Sequence, residues 1–264
     1  MMRTDGHLLD HRRSEAGQRF DALAALFDPT TFRHLERFGV GSGWRCWEAG
    51  AGGMSVVSWL ARRVGPTGRV IATGPDLSWA PPAVRPPIQL RVHDMGADEP
   101  PVEGFDLVHA RFVLADVPDR ERALRTMIRA LRPGGRLLVE DADPTLQPLA
   151  CPDEHGPEQQ LANRVRHAMR DVLAERGAEL AYGRRLPRLL REAGLRQVEA
   201  DAYFPLTSPA CGALEAETVG QVREQLVAQG RVTGQDIDRH LANVAAGGTD
   251  LATAPMISAW GRKA

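Results

Sequence analysis

A carboxylate and a cluster of glycines, Glu48-Ala49-Gly50-Ala51-Gly52-Gly53, follow a short apolar stretch and precede a helical pattern over residues 55–64. A glycine-rich turn between a strand and a helix lets the backbone approach a ligand and leaves helix N-terminal amides free to face it. The dinucleotide fingerprint G-x-G-x-x-G, begun at Gly50, asks for a small residue at position 55, which Ser55 meets only in part. The loop has no lysine, so a phosphate-binding P-loop is excluded. What the loop does match is E-x-G-x-G. An acid at the end of the first strand suits a cationic group and repels a pyrophosphate.

That acid points to S-adenosylmethionine (SAM), which carries an amino group and a sulfonium, and opposes a nicotinamide cofactor. Methyl transfer from a sulfonium is a direct displacement, so the protein mainly aligns the reactants and excludes water. A base is needed only when the acceptor keeps its proton at neutral pH. Candidates are Asp116, Glu140, Asp141, Asp143, His155, His167 and Tyr203. Of these, Asp116, Asp143 and His167 are the ones carried forward. Asp116 precedes Val-Pro and suits a turn as well as a base; Asp141 and Asp143 suit the shaping of the loop before Pro144. His167 fits a polar helix face, and Tyr203 a packing role. His109, inside a strand, reads as a satisfied core residue.

Strand-like runs at 44–49, 68–73, 88–94, 105–110 and 135–141 are short, rich in Val, Leu and Ile, and bounded by Gly or Pro. Helical spacing lies between them at 55–64 and 119–131, the second capped by Asp119. This alternation predicts an α/β fold with a largely parallel sheet and helices on both faces. Residues 197–203 and 253–263 supply two last strands. Before the first strand, residues 14–39 read as two short helices separated at Asp28-Pro29. Long helical patterns cover 156–180 and 214–246, and the proline-rich stretch 79–87 is a stiff connection. The organisation expected is an N-terminal helical lid over 1–40 and a core over 41–264, with helical insertions at about 145–180 and 208–248 that roof the cleft. Phe20, Phe27, Phe32 and Phe38 are spaced as a helix-packing set, and Trp44, Trp47 and Trp59 as core around the first strand.

The chain has 264 residues, 43% hydrophobic and 25% charged, with a formal net charge of -1. That suffices for one sizeable domain and gives no field for nucleic acid. Three distant cysteines, Cys46, Cys151 and Cys211, fit neither a disulfide framework nor a metal site. No apolar run reaches membrane-span length, and the first residues lack the core of a signal peptide. The expectation is a cytoplasmic protein. Its single lysine, Lys263 among 33 basic residues, suggests a GC-rich bacterial genome.

With "EAGAGG" at 48–53, "HDMGADEPPVEGFDLVHAR" at 93–111, "ALRPGGRLLVEDAD" at 130–143 and "YGRRLPRLLREAGL" at 182–195, the chain resembles the class I SAM-dependent methyltransferases over most of its length. Within them it looks most like bacterial enzymes that methylate small molecules. The resemblance implies a Rossmann-like seven-stranded sheet and assigns SAM contacts by position. Glu48 would meet the methionine amino group, and Ala49, Gly50 and Gly52 the cofactor backbone. Asp94 would accept from the adenine amine, with Met95 against the ring, and Ala110 and Arg111 would border the methionyl end.

Three positions depart from that pattern, one of them Asp116, near where similar proteins often show a histidine after the fourth strand. Met54 stands where a third glycine is usual. Gly74 stands where similar proteins end the second strand in an acid that accepts both ribose hydroxyls. Losing such an acceptor costs roughly 1.5 to 3 kcal/mol, and Asp76 is the residue placed to take over. The expected activity is methyl transfer to an O or N atom of a small molecule of secondary metabolism, by a monomer or homodimer. The competing reading is a methyltransferase fold that no longer transfers methyl and serves as a cyclase-type enzyme or a binding partner.

Overall fold

The computed structural model describes residues 16–264; the first fifteen residues, and with them part of the expected N-terminal lid and the reading of a missing signal peptide, lie outside it. Seven strands form one sheet: β1 (Arg45–Ala49), β2 (Arg69–Gly74), β3 (Ile88–Val92), β4 (Phe105–Arg111), β5 (Leu131–Ala142), β6 (Arg196–Tyr203) and β7 (Met256–Arg262). Their order is 3-2-1-4-5-7-6, and β7 alone runs antiparallel to its neighbours. Strand order therefore reverses between β1 and β4, the place where open α/β sheets bind ligands.

Alternate residues of a strand face opposite sides. Trp47, Val108, Val139 and Ala259 pack with α3 (Arg120–Ala130) and α5 (Tyr182–Glu192). Cys46, Leu107, Leu138 and Trp260 pack with α2 (Ser55–Val64), with Leu35 of α1 (Ala16–Arg37) and with Phe38 just after it. Asp119 caps α3 as expected, accepting from Arg122 N–H at 3.0 Å.

The chain also leaves the carboxyl end of the sheet after β5, to form α4 (Pro157–Glu175), and after β6, to form α6 (Pro209–Gln221), α7 (Arg223–Ala228) and α8 (Gly234–Ala246). These helices share their own apolar layer around Leu161, Val165, Val219, Leu226 and Ile237. At its centre Glu215 meets Arg166 at 2.5 Å and His240 at 3.1 Å. Burial pushes the Glu215 carboxyl up, but Arg166 and His240 outweigh it and hold it down at about 2. No helix among the described residues is long and apolar enough to cross a membrane.

Two expectations are corrected. The pattern over 214–246 is three helices, because Gly230 takes a positive φ and Thr233 starts α8 with a capping box to Asp236. And α1 is one helix, with Pro29 inside it. Proline in a helix interior loses one hydrogen bond and crowds the preceding turn, yet here both halves are fixed by tertiary contacts. Phe27 packs edge-on against Phe112, and Phe32 stacks on Trp59 at 5.1 Å. Pro29 itself is exposed. Pro29→Ala should therefore raise stability, by on the order of 1 kcal/mol; a lower melting temperature in the variant would show that the ring itself holds the helix.

Candidate active site

The glycine loop begins with backbone only glycine adopts easily. Gly50 has φ +72°, and a Cβ there would lie 2.4 Å from Val113 Cγ2. Ala51 N–H donates to Thr73 O at 2.7 Å, tying the loop to the end of β2. A Cβ on Gly52 would lie 2.1 Å from the ring of Phe20, so α1 lays an aromatic face directly on this glycine. Met54 takes an ordinary right-handed conformation, φ -91°, and turns its side chain to the apolar layer. The position does not demand glycine.

Gly74, the last residue of β2, is pressed against the same loop: a Cβ there would sit 3.2 Å from Ala51 O. Asp76 shapes the turn that follows, its carboxylate accepting from Ser78 N–H at 3.0 Å and Ser78 Oγ at 2.8 Å. Beyond β3, Asp94 is exposed and accepts from Gly96 N–H at 2.8 Å, while Met95 is buried. Ala49, Met95 and Ala110 all belong to the layer under α3 and α5. Their side chains pack there, which leaves their backbone at the strand ends.

Under α1 lies a row of polar residues that crosses five strands. The register pairs Glu48 with His109, Arg111 with Glu140, Glu140 with Ser258 and Ser258 with Asp201. His109 Nδ1 lies 2.6 Å from Glu48 Oε2, and its Nε2 lies 3.2 Å from Glu140 Oε2. Glu140 also accepts from Ser258 Oγ at 2.7 Å and from Thr31 Oγ1 at 2.5 Å. Arg111 donates to Thr31 Oγ1 at 2.9 Å and Asp28 at 2.7 Å, and His34 Nε2 lies 3.0 Å from Asp201. Burial opposes charge on His109, but the Glu48 carboxylate and hydrogen bonds to Glu140 and Glu48 raise it to about 9. Burial pushes Glu140 up, yet His109 and His34 hold it well below the usual carboxylate range. Reasoning from sequence missed Asp28, Thr31 and His34, whose i, i+3, i+6 spacing is a polar stripe on the buried side of α1. Arg111 is a strut to α1.

The expected acid–base residues separate. Asp116 ends a single 3-10 turn, Leu114–Asp116, after β4, and Arg19 of α1 stands close enough for their charges to interact. Asp141, at the end of β5, accepts from Ala115 N–H at 3.0 Å. Burial, and next the charge of Asp116, push Asp141 up to about 7. Asp143 is fully occupied: Arg184 grips it through Nε at 2.6 Å and the second nitrogen at 2.7 Å, and Thr145 Oγ1 donates at 2.7 Å. It shapes a loop. His167 lies on the exposed side of α4 against Asn163 O, and His155 is exposed beside Asp153. Neither joins Asp116. Tyr203 packs edge-on to Phe27.

A family model described as a methyltransferase domain matches residues 9–200. The chain belongs to the SAM-dependent methyltransferases. Members of this family are enzymes that use SAM as methyl donor. Among solved structures, the fold is similar to that of Haemonchus contortus phosphoethanolamine N-methyltransferase 2, in complex with phosphomonomethylethanolamine and S-adenosylhomocysteine. Identity is 15% and the TM-score 0.59, over 99% of this chain and 60% of that one. It is also similar to a sarcosine dimethylglycine methyltransferase from Galdieria sulphuraria, at 14% identity and TM-score 0.54, over 98% and 94%. A ubiquinone/menaquinone biosynthesis C-methyltransferase of Vibrio parahaemolyticus is 49% identical over 51 residues, 19% of this chain. The match spans 20% of that relative's length.

Gly50 and Gly52 carry no side chain, Val113 and Phe20 lie against them, and the Glu48 carboxylate stands two residues before Gly50. Asp141 carries a measurable signature of its own. Its folded value lies above the unfolded one, so the native state binds the extra proton and stability falls as pH rises from about 4 to about 7. Asp141→Asn removes that slope. From pH 5 to pH 8 the variant should gain on the parent by on the order of 2 kcal/mol in denaturant titrations; parallel pH profiles would show that Asp141 is an ordinary carboxylate.

Proposed function

We propose that this methyltransferase transfers the methyl group of SAM to an O or N atom of a small-molecule acceptor in bacterial secondary metabolism. The observation that carries the reading is the pairing of a glycine loop whose backbone tolerates no side chain at Gly50 with a carboxylate, Glu48, at the end of β1. Bound here, SAM supplies an electrophilic methyl on a cationic sulfur. Glu48 would receive its amino group, Gly50 and Gly52 would border its backbone, and Asp94 with the backbone of Met95 would flank the adenine.

The chain's own task is alignment and exclusion of water. Phe20 closes over Gly52 from α1, and Phe27, Phe112 and Tyr203 form an aromatic cluster beside it. Phe112 sits at the carboxyl end of β4 with φ +55°, a strained conformation of the kind that gathers at functional sites. Asp116 takes the proton of an O–H or N–H acceptor. Amine acceptors named for the structural neighbours, phosphomonomethylethanolamine among them, fit that chemistry. Cytoplasmic location and a monomeric or homodimeric state complete the proposal.

A second reading, a non-methylating enzyme or binding partner, draws on Gly74 at the ribose end and on Phe20 lying against Gly52. Transfer of labelled methyl from SAM to amine and phenol acceptors separates the two. The proposal expects turnover that falls at least ten-fold in Asp116→Asn with SAM affinity unchanged. Micromolar binding of SAM without methylated product from any acceptor would favour the second reading.

A further inference from the structure

Two carboxylates and one imidazole are buried together below the glycine loop. A neutral imidazole has one N–H and can donate to one neighbour only; the imidazolium donates to both. His109 lies within hydrogen-bond reach of Glu48 on one side and Glu140 on the other, with no exposed surface of its own. Glu140 is anchored in turn by Thr31 from α1 and Ser258 from β7. The ring therefore has a fixed far end and a near end that grips Glu48 Oε2, while the Glu48 side chain keeps 7% of its surface open.

We infer that His109 is a positioning residue for the cofactor: anchored by Glu140, it orients the Glu48 carboxylate to receive the amino group of the methionyl part of SAM. The inference rests on the reading of Glu48 given above. Two physical effects support it. A free glutamate side chain loses rotamer entropy when a ligand fixes it, and here the fixing is done at folding. The charges also balance. Around the ring stand Glu48 on β1, Arg111 on β4 and Glu140 on β5, with Asp28 and His34 on α1 and Asp201 on β6. Arg111 offsets Asp28, and His34 faces Asp201. An imidazolium between two carboxylates then leaves one net negative charge for an ammonium to meet.

Calorimetric titration with S-adenosylhomocysteine and with 5′-methylthioadenosine tests this. The second probe keeps the adenosine and the sulfur but lacks the amino group and carboxylate of the methionyl part. His109→Gln should weaken S-adenosylhomocysteine roughly ten-fold or more and leave 5′-methylthioadenosine within two-fold of wild type; KM for SAM rises while kcat at saturation holds. Glu48→Gln should give the same pattern. An equal loss of both probes in His109→Gln would reduce His109 to a structural role and overturn the inference. Loss in Glu48→Gln without loss in His109→Gln overturns it while leaving the reading of Glu48 intact. Unchanged binding in Glu48→Gln, or no binding by the wild type, overturns both. Should His109→Gln not fold, Glu140→Gln removes the anchor's charge and leaves one acceptor oxygen, its amide NH2 donating to the Thr31 or Ser258 hydroxyl in place of the second, and the same two-probe comparison decides.

Discussion

The molecule is organised around charge buried in one layer, Glu48–His109–Glu140, between the sheet and its first helix. Ionised groups removed from water are tolerated only when paired and hydrogen-bonded. Each of these three has its partner on a different strand, and the row closes only when α1 supplies Thr31, His34 and Asp28 from above. That requirement fixes where α1 crosses the sheet. Once it is fixed, the N-terminal turns of the same helix carry Phe20 onto Gly52 and bring Arg19 beside Asp116. The geometry of the cleft thus follows from a polar constraint several turns away.

The reaction class explains why so much polar chemistry is invested in holding and so little in acid–base work. A displacement at a sulfonium methyl needs collinear reactants in a water-free space. The glycine loop, the aromatic cluster of Phe27, Phe112 and Tyr203, and the helical layer with Arg166–Glu215–His240 at its centre are all devices of rigidity and enclosure. Asp143, gripped by Arg184, belongs with them.

Periodicity made most of the sheet legible. The strand and helix positions around the glycine loop were readable because each is a short apolar run between glycine or proline boundaries, and the start of α2 at Ser55 matches to the residue. Pro29 misled because local chemistry argues for a break, whereas Phe27 and Phe32 are held by partners about eighty and thirty residues away in sequence. His109 was readable as a satisfied strand residue, but its partners on β1 and β5 come from pairing of distant segments. Asp143 looked available because nothing nearby in sequence announces Arg184, forty-one residues on. Arg111, at the end of β4, is expected from the resemblance to border the methionyl end, and its guanidinium reaches Asp28 and Thr31, eighty or so residues earlier. In each case the strand or helix was local information and the partner was not.

Gly74 shows how one departure from a family pattern acquires a packing reason. The end of β2 and the glycine loop touch directly: Ala51 donates to Thr73 O, and its own carbonyl oxygen lies 3.2 Å from where a Cβ at position 74 would be. That contact is tighter than ordinary van der Waals spacing, and the atom that would have to yield is backbone of the loop. An acid at 74 would therefore act on the loop as well as on a ribose. With glycine there, Ala51 sits close to β2, and the turn that follows is built by Asp76 holding Ser78. The carboxylate nearest in sequence to the end of β2 is thus displaced by two residues, into a turn that it shapes itself.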